Sequence, residues 1–139
     1  MSLITINNEV PMMFKEFKLS HKWRYIIFKM NDKLTEVIID KIGQYDETYD
    51  DFTKALPPKA ARFCVYDLHY TQVNGKREKI IFYLWSPSKC SLKEKVIFSA
   101  TKVLVKQVFE GIAAEVQATC DSELDIERVL DKVKSVSRE

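Results

Sequence analysis

The stretch from Leu92 to Ala118, LKEKVIFSATKVLVKQVFEGIAAEVQA, constrains the fold of this chain more than any other segment. Ile97, Ala100, Leu104, Val108, Ile112 and Val116 recur at intervals of three and four, the spacing that lines one face of an α-helix. The segment therefore predicts one long amphipathic helix that presses this face onto a core. Lys95, Ser99, Lys102 and Lys106 fall four, three and four residues apart and predict a positive stripe on the solvent side. Taken alone, such a stripe is a solvated face, as on most surface helices.

A helix of this kind needs another layer to pack against, and the rest of the chain supplies strands. Arg24 to Met30 and Leu34 to Ile42, rich in Ile, Val and aromatic residues, predict a hairpin turned at Asn31-Asp32-Lys33. Arg62 to Thr71 and Lys79 to Trp85 predict a second hairpin around Asn74-Gly75, ended by Pro87. Before the first hairpin, Asn7 or Asn8 caps a helix running through Lys18, with Pro11 in its tolerant first turn and Val10, Met13, Phe14 and Phe17 inward. Between the hairpins, Thr48 and Asp51 are spaced as a cap for a short helix ending at Leu56, where Pro57 and Pro58 stop it. Asp125 to Ser135 predicts a last helix with Ile126, Val129, Leu130 and Val133 inward. The order is that of one mixed sheet with helices on both faces, an α/β or α+β fold.

At 139 residues the chain is expected to form a single domain, 1–139, burying roughly two thirds of its unfolded surface. With 46% hydrophobic and 30% charged residues its composition is globular rather than disordered. No apolar run reaches the roughly eighteen residues of a membrane span, and Met1 to Val10 lacks a signal-peptide pattern, so a cytoplasmic location is expected. A net charge of +2 is too small for a nucleic-acid track. The three glycines, Gly43, Gly75 and Gly111, make no phosphate loop. Cys64, Cys90 and Cys120 are odd in number and widely spaced, which fits reduced thiols and gives no zinc pattern. Cys64 reads as a small core residue. His21 and His69 have no Ser or Cys partner at a recognisable spacing, so no catalytic residue, metal or cofactor is expected.

Five blocks in order carry a resemblance that runs nearly end to end. They are the Ser-led N-terminus MSLITINNEVPMMFKEFKL, the block RYIIFKMNDKLTEVIID, the segment YDETYDDFTKALPPKAARFCVYDLHY, the strand KREKIIFYLWSP and the helix start LKEKVIFSATK. Together they resemble the actin-depolymerising factor and cofilin family. The resemblance implies a central five- or six-stranded mixed sheet sandwiched by helices, the actin-depolymerising-factor homology fold, with a short strand around Cys120 to Leu124. Trp85 and Tyr66 then serve as core and loop-anchor residues.

In function the resemblance implies a non-enzymatic, monomeric cytoskeletal protein that binds actin monomers and filaments and promotes severing and depolymerisation. The monomer-contacting residues carried over are Ser2, Leu3 and Ile4 in the tail and Lys93, Lys95, Val96, Ser99, Thr101 and Lys102 on the helix. Val96 departs from the family, which usually has Met there. The filament-contacting residues are Lys76, Arg77 and Lys79 in the basic loop of the second hairpin, with Asp131 and Lys132 on the last helix. Ser135 stands where the family has a further basic residue, although Lys134 is beside it. Ser2 matches the serine that is phosphorylated in the family to switch binding off, and the exposed lysines imply phosphoinositide lipids as a second partner. Two other classes stay open at this point: a coactosin-like or drebrin-like module that binds only filament sides, and a small enzyme pairing Cys90 or Cys120 with a histidine.

Overall fold

The computed structural model describes residues 4–137. Six strands form one sheet: β1 (Thr5–Ile6), β2 (Trp23–Met30), β3 (Glu36–Gln44), β4 (Arg62–Gln72), β5 (Gly75–Trp85) and β6 (Ile112–Ala118). Their order across the sheet is β1-β3-β2-β4-β5-β6. The two outermost pairs are parallel and the inner three antiparallel, so the sheet is mixed as expected. The helices are α1 (Glu9–Ser20), α2 (Tyr49–Lys54), α3 (Leu92–Val108) and α4 (Ile126–Ser137).

Alternation along the central strands explains why both faces of the sheet need covering. Phe63 and Val65 of β4, with Phe82 and Leu84 of β5, point to one face, where they meet Val10, Phe14 and Phe17 of α1 and Phe98 and Val105 of α3. Cys64 and Tyr66, with Tyr83 and Trp85, point to the other, against Phe52 of α2 and Val129 and Val133 of α4. Each buried aromatic side chain contributes about 2–3 kcal/mol of apolar burial, and rings in contact add to it. Phe14 stacks on Phe109 with centroids 4.6 Å apart, and Phe63 meets Phe98 at 4.8 Å. Trp85 and Tyr66 are buried, and the Trp85 indole Nε1 donates to Pro57 O at 2.7 Å, anchoring the Leu-Pro turn.

The local signals for helix caps hold. Thr48 and Asp51 form a reciprocal capping box at the start of α2. The Asn7 side chain accepts from Glu9 N at the entry to α1. Cys64 is buried in β4.

Three expectations are corrected. The long helix does not run to Ala118: it ends at Val108, Gly111 turns the chain at φ 89°, and Ile112–Ala118 becomes β6, parallel to β5. Ala114, Val116 and Ala118 alternate inward there, a period of two hidden inside an apparently helical pattern. The core face of α3 is also displaced by one residue. Phe98, Thr101, Val105 and the C-cap Phe109 are buried, whereas Ala100 and Leu104 are exposed and Ile97 and Val108 half-buried. Two phenylalanines outweigh the aliphatic spacing because they reach the aromatic cluster, and Thr101 is tolerated inside because its Oγ1 donates to Ile97 O at 2.6 Å. Finally, Asp121–Leu124 is a short 3-10 helix and not a strand. Glu123 accepts from Thr119 N and Oγ1, and Tyr49 Oη donates to Leu124 O, so the segment's polar groups are met locally.

Candidate docking surface

Ser91 starts α3, its Oγ accepting from Glu94 N at 3.1 Å. With the buried face set by Phe98, Thr101 and Val105, the opposite face is left with Leu92, Val96 and Val103, which are 75%, 60% and 62% exposed. Their spacing of four and seven makes them one apolar stripe. Val103 and Leu92 escaped the sequence reading because the helix was phased on its aliphatic residues. Phasing it on Phe98 and Phe109 would have exposed the stripe.

Lysines flank this stripe, but they are not equivalent. Lys93 is exposed. Lys95 is half-buried and donates to Ser88 O at 3.0 Å, across the loop that leads into the helix. Lys102 and Lys106 both pair with Glu115 of β6, Lys102 Nζ lying 2.8 Å from Oε1. Burial alone pushes the Glu115 carboxyl up, and the two lysines outweigh it and hold the group below its ordinary value. The predicted positive stripe is thus half neutralised by β6. Ser99 is exposed beside it. Thr101 is corrected as a contact residue: at 3% exposure, with its hydroxyl bonded to the helix, it belongs to the core. In the tail, Ile4 packs against the α1–α3 core, and Ser2 and Leu3 lie outside the described residues.

A second set of predicted residues gathers at the far end of the molecule. Lys76, Arg77 and Lys79 lie in strand β5 and not in a loop, because β5 begins at Gly75, where φ is 118°. The connection is the two-residue turn Val73-Asn74, and Val73 is fully exposed at its tip. Arg77 is paired in register with Tyr70, and Lys134 of α4 lies over the Tyr70 ring at 6.0 Å. The last helix therefore sits beside the hairpin, with Asp131 and Lys132 exposed. Sequence separation conceals this adjacency; the Tyr70 contact makes it.

No thiol is poised for chemistry with a histidine. Cys90 is buried against Ser86, and Cys120 contacts Ser122 and Glu123. Both histidines turn instead to Asp67.

A mixed sheet between two helical layers, presenting an apolar helix stripe rimmed by ammonium groups, defines a protein-docking module. Residues 3–134 match the family described as cofilin/tropomyosin-type actin-binding proteins. The chain is 51% identical over 138 residues to actophorin of Entamoeba histolytica, covering 99% of this chain and all of that one. It superposes on the crystal structure of Streptomyces griseoflavus cofilin with a TM-score of 0.89 at 36% identity, over 95% of this chain and 98% of that one. Coactosin of Entamoeba histolytica shares the fold, with a TM-score of 0.84 over the whole of both chains at 20% identity. This chain belongs to the cofilin and actin-depolymerising factor family of actin-binding proteins.

Proposed function

We propose that this protein binds actin monomers and filaments and promotes filament severing and depolymerisation, acting by binding and without catalysing a reaction. Membership of an actin-binding family carries the partner. The observation that supports the mode of binding is the exposed stripe Leu92, Val96 and Val103 at the start of α3. Such a stripe enters an apolar cleft while Lys93 and Lys95 at its rim meet carboxylates of the partner. By the family resemblance Ser2, Leu3 and Ile4 are assigned to this first surface, together with Ser99 and Lys102. Lys76, Arg77, Lys79, Asp131 and Lys132 form the second.

A protein holding two neighbouring filament subunits by two surfaces shifts the filament toward whichever arrangement it binds better, and weakens contacts of the other. The chain acts as one domain, in the cytoplasm. Its lysines also attract phosphoinositide head groups, which compete with actin for them, and a phosphate on Ser2 would repel an acidic partner surface.

Co-sedimentation with actin filaments, with their lengths followed by microscopy, tests the activity. The protein is expected in the pellet, with filaments shortened. A protein that stays in the supernatant and leaves length unchanged would refute it. Titration of ADP- and ATP-actin monomers with Lys93 and Lys95 replaced by Ala tests the first surface.

A further inference from the structure

Three side chains with metal-ligating atoms converge on the sheet beside the Lys76–Lys79 segment of β5. Asp67 and His69 stand two residues apart on β4 and so share its α1-facing side. α1 ends at His21, which holds a left-handed conformation, φ 54° and ψ 31°, that few residues other than glycine adopt. From there its Nδ1 lies 2.9 Å from Asp67 Oδ2, while His69 Nε2 lies 3.1 Å from Asp67 Oδ1. Donor atoms of the three residues all fall within 4.8 Å of one another.

The chemistry of this cluster is unbalanced. Asp67 is 1% exposed, yet its Oδ1 and the His69 Nε2 have no hydrogen-bond partner, although they face each other. Leaving two such buried atoms unmet is costly. On the opposite edge of His21, Glu78 Oε2 lies 3.6 Å from Nε2, and Glu78 is the cross-strand partner of His69. A carboxylate oxygen only accepts, so His21 Nδ1 donates to Asp67 Oδ2 in the metal-free fold, and a bound ion would take the place of that proton while Glu78 faces the other ring nitrogen. Arg24 Nη1 donates to the Asp67 main-chain oxygen at 3.3 Å, which leaves the carboxylate oxygens to the histidines.

We propose that His21, Asp67 and His69 bind a divalent transition metal of the zinc type, with Glu78 orienting the His21 ring from outside. Two imidazoles and one carboxylate form a donor set such ions take, whereas Mg²⁺ and Ca²⁺ prefer oxygen donors alone. Tetrahedral bonds of about 2.0–2.2 Å put neighbouring donors about 3.3 Å apart, so the three donors, which lie within 4.8 Å of one another, would draw together around the ion. A bound ion would tie the end of α1 to the β4–β5 hairpin. No sequence motif announces this, because His21 and Asp67 are 46 residues apart.

The test is titration of chelator-treated protein with Zn²⁺ by calorimetry and with Co²⁺ by visible absorption, against Mg²⁺. One ion per chain is expected, with the d–d bands of low-coordinate Co²⁺ and no Mg²⁺ response. His21→Gln and His69→Gln should each weaken binding at least tenfold, with circular dichroism showing both folded. The exposed thiol of Cys120 is the rival ligand, so Cys120→Ser is titrated in parallel and should bind as the unaltered chain does. Absence of binding, or binding lost with Cys120 and kept without the histidines, overturns the proposal.

Discussion

Lys102 Nζ of α3 and Glu115 Oε1 of β6 lie 2.8 Å apart, so the helix of the proposed docking surface is fastened to the edge strand by one of its own surface cations. Lys106 shares the same carboxylate. Since Glu115 titrates below its ordinary value of 4.5 in the fold, this pairing stabilises the native state above the unfolded-state value and is lost as pH falls through the folded one. The stability difference between the unaltered chain and Glu115→Gln should be present at neutral pH and shrink as pH falls below the ordinary carboxylate value of 4.5. Urea denaturation across that range measures it, and a difference that ignores pH would contradict the pairing. At neutral pH the variant also frees two ammonium groups, so its affinity for an acidic partner should fall more steeply with salt.

Val96 is 60% exposed, and changing it should touch binding without touching the fold. Val96→Asp is expected to leave thermal stability within about 0.5 kcal/mol while weakening actin-monomer affinity tenfold or more, about 1.4 kcal/mol. Val96→Met, longer and more adaptable, should bind at least as tightly. Thr101→Arg should do the reverse, lowering stability because the site is buried. Fluorescence titration beside thermal melts separates the two effects.

Reversing charge at the hairpin separates the two surfaces. Arg77→Glu with Lys79→Glu should reduce pelleting with filaments and its salt dependence, while monomer affinity changes by no more than about twofold. An equal loss in both assays would mean that the hairpin and the start of α3 do not act as distinct contacts.

Gly43 and Tyr25 are cross-strand partners, and the Tyr25 ring lies over the glycine: a Cβ there would come within 2.1 Å of the ring. Gly43→Ala should therefore cost about 1–3 kcal/mol of overpacking, read as a lower denaturation midpoint at unchanged m. Tyr25 is held on its other side by Phe52 at 5.1 Å and by its hydroxyl donating to Glu47, so the ring has little freedom to yield. A variant as stable as the parent would show that it does yield.

Short-range order in the chain was readable before any fold was known. The cap at Thr48 and the hairpin of β4 and β5 around Asn74 depend on residues a few positions apart, and sequence spacing reports such neighbours directly. The ordered blocks also marked the family and its sheet. Hidden from that reading were contacts whose partners are far apart in the chain. The phase of α3 follows from Phe98 and Phe109 reaching aromatics of α1 and the central strands, and the end of the helix from β6 finding β5. Glu115 taking up two lysines, Lys134 reaching Tyr70 and His21 closing on Asp67 are of the same kind. Local patterns record which residues favour a helix or a strand; which side of each element is buried, and which charges remain unpaired for a partner, depends on what packs against it.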